Sequence, residues 1–226
     1  MKKGASQRPS KVIYDRACSI LCAVKTGEYD WNSIFQGANW FHFTGITPAL
    51  GKDMPAICEE AVKTARKMGL TVSCDLNYRK KLWSREEAKE IMSRLLPYVD
   101  VCIANEEDAA DVFGIHAENT DIDTGKISKE GYIGVAQKIC RQFGCKMTAI
   151  TLRGSLSATD NNWGGMLYDG KNAFFLPHLF HPYCRPCGRR RQLWGRAYLL
   201  SALRLFISGS RGIRSGRLLS EAYHRT

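Results

Sequence analysis

Short apolar runs alternate with amphipathic helical segments over the first two thirds of this 226-residue chain. Helices of this length between strands predict βαβ crossovers, because a strand can return to the same sheet in parallel only through such a connection. The chain is therefore predicted to be α/β, with a parallel sheet flanked by helices. The predicted strands are 39–46, 70–77, 99–104 and 147–152, and the predicted helices are 54–69, 84–98, a segment opening at 105, and 131–144.

Local end signals support these helices. Ser84 with Glu87 three residues later forms the capping-box pattern that begins a helix. Gly69 and Gly144 follow helical segments at the position where a helix commonly stops. The strands are apolar nearly throughout, which is typical of a sheet covered on both faces.

Polar residues follow each predicted strand. They are Thr44-Gly45, Asp75 to Asn77, Asn105-Glu106 and Arg153-Gly154. Open α/β sheets bind ligands at the carboxyl ends of their strands, so this edge is a candidate ligand site. Helix capping is the alternative, and it accounts for Asn105. It accounts less well for NYRKKLW (77–83), which gathers two aromatic residues and three cations.

Composition restricts the setting of the protein. The longest apolar runs are well short of the roughly 18 residues of a membrane helix. No apolar segment follows the basic start MKKGASQRPS, so no secretory signal is predicted. The nine cysteines are an odd number, and Cys74, Cys102 and Cys140 lie in apolar segments, as reduced buried thiols do. We therefore expect a cytoplasmic protein without a disulfide framework.

The basic charge lies in the last quarter of the chain. Between Leu176 and Thr226 there are ten arginines, no lysine and one acid, Glu221. This segment supplies +9 of the net charge of +11. The two parts of the chain therefore need separate explanations.

Residues 4–175 resemble, in order, the ribokinase/PfkB family of sugar kinases, most closely its 2-dehydro-3-deoxygluconate kinase branch. The resemblance rests on GASQRPSKVIYDRA (4–17), WFHFTGITPAL (40–50), TVSCDLNYRKKLWSREEA (71–88), YVDVCIANEEDAADVFG (98–114) and KMTAITLRGS (146–155). It implies a ribokinase-like parallel sheet carrying the remnant of a small β lid. It also implies transfer of the γ-phosphoryl group of ATP, with Mg²⁺, to a hydroxyl of a sugar acid. Members of this family are often homo-oligomers.

The resemblance assigns roles to particular residues. A guanidinium such as that of Arg16 can clamp a substrate carboxylate, and one such as that of Arg79 can neutralise charge during phosphoryl transfer. Asp108 stands where the family has a glutamate near magnesium, and RGSLSA lacks the second glycine of the family's nucleotide loop. The implied substrate-binding residues are Tyr14, Arg16 and Arg79, the implied nucleotide-binding residues are Asn77, Asn105, Arg153, Gly154 and Ser155, and the implied magnesium-associated residue is Asp108.

Two parts of the family pattern have no counterpart here. One is the amino-terminal strand with its Gly-Gly sugar-binding segment. The other is the Gly-x-Gly-Asp motif, which carries the general-base aspartate and whose helix N-terminus forms the anion hole. We therefore expect residues 1–175 to form a partial kinase domain and the chain to be inactive, with no catalytic residue retained.

A one-base frameshift accounts for the arginine-rich tail. Glycine codons GGC, repeated, become the arginine codon CGG when read one base out of frame. The stretch CGRRRQLWGRAYL (187–199) can be encoded so that the shifted reading is VGGGDSFGGGLI, which contains the missing motif. We therefore place the shift close to Phe175-Leu176 and expect residues 176–226 to be disordered or non-native.

Other interpretations of the chain stay open. His178, His181, Cys184 and Cys187 have zinc-ligand character, although such sites usually consist of two separated pairs. The arginines with nearby aromatic residues could bind nucleic acid, but charge alone predicts only non-specific adhesion. The chain could also be a non-catalytic fragment that binds an intact kinase subunit. We expect a sugar acid and ATP as ligands, with no membrane and no specific nucleic acid as partners.

Overall fold

The computed structural model describes residues 23–117, 129–155 and 161–181. Within these ranges the chain forms one six-stranded sheet, in the order β1-β2-β3-β4-β5-β6, with helices in the connections. The first four strands are parallel, as predicted, and the last two pair antiparallel. The strands are β1 (Trp40–Thr44), β2 (Thr71–Asp75), β3 (Val101–Asn105), β4 (Met147–Ser155), β5 (Asn161–Tyr168) and β6 (Ala173–His181).

Each predicted helix is present. The capping box at Ser84 is formed, since its side chain accepts from the Glu87 amide and the Glu87 carboxylate accepts from the Ser84 amide. Gly114 closes another helix in the left-handed region, at φ 68°. The α-helices are α1 (Trp31–Ile34), α2 (Met54–Lys67), α3 (Arg85–Leu95), α4 (Glu106–Phe113) and α5 (Lys129–Phe143), and two 3₁₀ turns span Thr47–Ala49 and Leu96–Tyr98.

The core lies between the sheet and these helices. Strands β2 and β3 are buried at nearly every position, which confirms that both of their faces are covered. The largest fully buried side chains come from the central strands and from α2, α3 and α5. They include Val62, Val72, Met92, Leu95, Ile139 and Ile150.

A buried carboxylate ties the amino ends of the strands together. Asp100 Oδ2 accepts from the Val72 amide at 2.9 Å, while Oδ1 lies 2.6 Å from Arg66 Nη1 and 2.8 Å from Lys146 Nζ. Burial by itself raises the pKa of this carboxyl. The hydrogen bonds from Lys146, Val72 and Arg66 outweigh burial and hold the Asp100 pKa below its ordinary value.

The hairpin of β5 and β6 is not among the predicted strands. Strand β6 crosses the proposed frameshift position and continues to His181. Its register with β5 is irregular. Gly165 pairs with Leu176, whereas Trp163, two residues earlier in β5, pairs with Leu179, three residues later in β6. Pro177 falls in this irregularity, a kind of position in a sheet to which proline is usually confined. Residues 182–226 lie outside the described residues, so the disordered or non-native tail stays a prediction.

The thiols within the described residues are free, as predicted. They are Cys58, Cys74, Cys102, Cys140 and Cys145, of which only Cys140 is half-buried rather than buried. Burial raises the pKa of Cys58 to about 12. In the same part of the chain, every helix is too short or too polar to cross a membrane.

Candidate active site

The four parallel strands end side by side, and polar residues stand at their last positions. Thr44 is the register partner of Asp75, and Asn105 is the partner of Thr151. In β2 the polar positions alternate with Val72 and Cys74, whereas β3 is apolar until Asn105 at its end. The structure thus brings together the strand-end residues that the sequence singled out.

The backbones that follow β1 and β2 approach each other closely. The Gly45 amide donates to the Asp75 carbonyl at 2.8 Å, and the Leu76 amide donates to the Ile103 carbonyl at 2.9 Å. A Cβ atom added to Gly45 would lie 2.1 Å from the Leu76 carbonyl oxygen. Glycine is therefore required at position 45 by packing.

Asn77 has the most constrained conformation at this edge. Its φ is 42°, the only positive value for a non-glycine residue in the described part of the chain, and it is 6% exposed. Its Nδ2 donates to Thr44 Oγ1 at 3.1 Å. Its Oδ1 is buried and has no hydrogen-bond partner among the described residues. Strained backbone and an unpaired buried acceptor are both unusual in a purely structural residue.

Tyr78 connects this loop to the next crossover. Its amide donates to Asp108 Oδ1 at 3.0 Å, and its hydroxyl donates to the Trp83 carbonyl at 3.3 Å. Asp108 in turn donates its own amide to Asn105 Oδ1 at 2.5 Å, so Asn105 caps α4. The capping interpretation of Asn105 is therefore confirmed.

Arg79 is the exposed cation of the loop. Its Nη1 donates to the Tyr78 carbonyl at 2.8 Å, which leaves the rest of the guanidinium accessible. Lys80 and Lys81 follow it and are exposed as well. The edge therefore offers positive charge beside a buried amide, an arrangement that suits a polar, anionic ligand.

The residues expected near magnesium form no closed cage. In the described part of the chain, no group of three or more histidine, cysteine, aspartate or glutamate side chains could hold a metal ion. Asp108 is 4% exposed, and one of its oxygens already accepts from the Tyr78 amide. Magnesium usually reaches kinase sites with the nucleotide and uses only one or two protein carboxylates. The described residues therefore form no dedicated metal site.

Arg153, Gly154 and Ser155 lie within β4. The prediction that this strand ends at 152 is wrong by three residues, because antiparallel pairing with Asn161–Trp163 of β5 continues the hydrogen-bonded ladder through Ser155. The three residues extend past the ends of the neighbouring parallel strands, on the side of the candidate site. Their nucleotide-binding role stays a prediction.

Several predicted residues fall outside the described ranges. Tyr14 and Arg16, with the lid that they were expected to form, precede residue 23. Two of the four residues of the proposed zinc cluster, Cys184 and Cys187, and all of the tail's arginines follow residue 181. Their predicted roles are untested by the structure.

Sequence reasoning missed the two contacts that hold the loop. Asn77 meets Thr44 across 33 positions of sequence, and Tyr78 meets Asp108 across 30. The polarity of Thr44 and Asn77 after adjacent strands hinted at the first contact. No signal in the sequence indicated the second.

Comparisons with known proteins agree with this geometry. A sequence model of the pfkB family carbohydrate kinases matches residues 21–133, which is half of the chain. A 2-dehydro-3-deoxygalactonokinase of Haloferax volcanii is 39% identical over 108 residues, covering 48% of this chain and 34% of that protein. A 2-dehydro-3-deoxygluconokinase of Bacillus subtilis is 34% identical over 83 residues, covering 37% of this chain and 25% of that protein.

Solved structures extend the comparison beyond residue 133. The 2-dehydro-3-deoxygluconokinase of Thermotoga maritima superposes with a TM-score of 0.72 at 47% identity, covering 79% of this chain and 53% of that one. A PfkB family carbohydrate kinase of Listeria grayi gives a TM-score of 0.70 at 28% identity, covering 88% of this chain and 57% of that one. The ribokinase-like fold is therefore confirmed. The chain spans about half the length of these structures and a third or less of the curated relatives.

Proposed function

Since the chain belongs to the pfkB family of carbohydrate kinases, we propose that its polar edge is part of a site for ATP-dependent phosphorylation of a sugar acid. The proposal depends mainly on the conformation of the loop that follows β2. There the buried, left-handed Asn77 stands beside the exposed cation Arg79, at the carboxyl end of the sheet. The 47% identity to the Thermotoga maritima enzyme supports 2-dehydro-3-deoxy-D-gluconate as the substrate.

The proposed roles follow from the charge that phosphoryl transfer must stabilise. ATP supplies the transferred group, and its magnesium ion neutralises part of the phosphate charge. Arg79 would neutralise further charge as the phosphoryl group moves, since its guanidinium is exposed at the edge. Asn77 would hold a polar group of the ligand. We place the nucleotide near Asn105 and the end of β4.

We also propose that the chain as given does not complete the reaction. No Gly-x-Gly-Asp sequence follows residue 175, so the general base and the anion hole of the family are missing from residues 176–226. A frame-shifted reading of 187–199 with the codons chosen above would supply both. The sugar hydroxyl would then lose its proton to the recovered aspartate as it attacks the γ-phosphorus and ADP leaves.

The test compares two proteins after the coding DNA has been resequenced from upstream of Met1 through codons 175 and 176. One protein is the chain as given, and the other is translated with the extra base removed, together with any upstream codons in frame. We expect ATP-dependent phosphorylation of 2-dehydro-3-deoxy-D-gluconate only by the second. Turnover by the chain as given would refute its inactivity. If neither protein bound the sugar acid in calorimetry, the substrate assignment would be wrong.

A further inference from the structure

The loop that carries Asn77 and Arg79 is anchored from two sides. On one side Thr44 Oγ1, at the end of β1, accepts from Asn77 Nδ2 at 3.1 Å. On the other side Asp108 Oδ1, in the first turn of α4, accepts from the Tyr78 amide at 3.0 Å. These two hydrogen bonds connect the loop to both neighbouring crossovers.

The Asp108 side chain is itself held in place by the start of α4. Its amide donates to Asn105 Oδ1, which fixes the first turn of the helix, and the residue is 4% exposed. A carboxylate accepting from a backbone amide forms a charge-assisted hydrogen bond, roughly twice as strong as a neutral one. Oδ1 of the Asp108 carboxylate is therefore engaged by the neighbouring loop.

The Tyr78 peptide transmits this constraint to both proposed ligand residues. Its amide donates to Asp108, and its carbonyl accepts from Arg79 Nη1 at 2.8 Å. The preceding residue is Asn77, which adopts the left-handed region with φ 42°. A displacement of Tyr78 would therefore move Asn77 and Arg79 together.

We propose that Asp108 is a positioning residue that holds the loop 76–79, and that it does not act on magnesium. The inference rests on the proposed function, because the loop matters for the reaction only if Asn77 and Arg79 contact the ligands. The resemblance to sugar kinases placed Asp108 near magnesium at a position where the family has a glutamate. Aspartate is one methylene shorter, and here its Oδ1 accepts from the Tyr78 amide.

The test distinguishes the effect of the hydrogen-bond acceptor of Asp108 from the effect of its negative charge. Asp108→Asn keeps an oxygen for the Tyr78 amide but removes the charge, whereas Asp108→Ala removes both. The matched control is Asp111→Ala, on the same helix, which removes the ion pair with Arg85 and leaves Asp108 and its hydrogen bond to Tyr78 in place. Wild type and variants are compared as full chains in three measurements: amide hydrogen exchange of Tyr78, the dissociation constant for 2-dehydro-3-deoxy-D-gluconate, and the Mg²⁺ concentration that half-saturates binding of a non-hydrolysable ATP analogue.

We expect D108A to accelerate exchange of the Tyr78 amide by about tenfold or more and to weaken sugar-acid binding by about tenfold, the factor that corresponds to one lost hydrogen bond. D108N should stay within about threefold of wild type in both measurements, and D111A should match wild type. The magnesium requirement should be the same in all four proteins.

Two results would overturn the inference. The first is equal Tyr78 exchange in wild type and D108A, which would show that Asp108 does not hold the loop. The second is a magnesium requirement raised about tenfold or more in D108N, which would show that the carboxylate charge acts on the metal. If D108A did not fold, the magnesium titration of D108N would decide alone. A wild-type chain that binds no sugar acid would refute the proposed function, and the exchange measurement would still decide the role of Asp108.

Discussion

Replacing Gly45 by alanine tests the link between the sheet edge and the site. The added Cβ would lie 2.1 Å from the Leu76 carbonyl oxygen, whereas ordinary contact begins at 3.4 Å, so the two backbones must separate by roughly 1.3 Å. That movement breaks the 2.8 Å hydrogen bond from the Gly45 amide to Asp75 and displaces the residue next to Asn77. Overpacking costs about 1–3 kcal/mol and a lost hydrogen bond about 1 kcal/mol, so G45A should lower the free energy of unfolding by about 2–4 kcal/mol.

The assay is urea or thermal denaturation followed by circular dichroism, with a second glycine as control. For a chain of this size, a loss of about 3 kcal/mol corresponds to a Tm lowered by about 6–12 °C. Gly134 lies inside α5, and a Cβ added there would meet no atom within 4 Å. G134A should therefore raise stability by about 0.5–1 kcal/mol. A G45A protein within about 0.5 kcal/mol of wild type would refute the argument from close approach.

Three further predictions concern stability and reactivity. Because the folded-state pKa of Asp100 is depressed, its contribution to the free energy of unfolding should be fully present above about pH 4 and lost as the pH falls through the folded pKa. D100N should therefore cost about 1–3 kcal/mol at pH 7 and flatten the acid limb of a denaturation series. An unchanged acid limb would contradict this. S84A removes the cap of α3 and should cost about 1 kcal/mol in urea titration; no measurable change would show that the capping box is not needed. Cys58 has a buried thiol with a pKa of about 12, so it should resist a disulfide reagent at pH 8 until the chain unfolds. Mass spectrometry locates the label, and rapid labelling of Cys58 in the native protein would be inconsistent with its burial.

The alternation of strands and helices was predictable because each element carries its own signals. The start of α3 at Arg85 follows from Ser84 and Glu87, which act within one helical turn. Strands β2 and β3 are buried at almost every position, and their parallel direction could be predicted from the intervening helices. Interactions that are local in sequence leave a local pattern.

The hairpin of β5 and β6 could not be predicted in the same way. Strand β5 contains Gly164 and Gly165, which weaken a strand pattern, and β6 contains Pro177, which normally argues against one. Pairing of β5 with β4, and of β6 with β5, supplies the ladder that these residues do not favour by themselves. The same pairing extends β4 to Ser155, beyond the end suggested by its apolar run.

For the site, the sequence determined which polar residues come to the carboxyl edge of the sheet. The parallel direction of the strands fixes that placement, and it brought Thr44, Asn77 and Asn105 into one region. Only the tertiary structure decided what those groups do there. The contact of Asp108 with Tyr78 depends on two crossovers packing side by side, and a hydrogen bond across 30 residues leaves no periodic trace in the chain. A repeating pattern can specify an element and its direction, whereas the partner of a single side chain is set by the packing of whole elements.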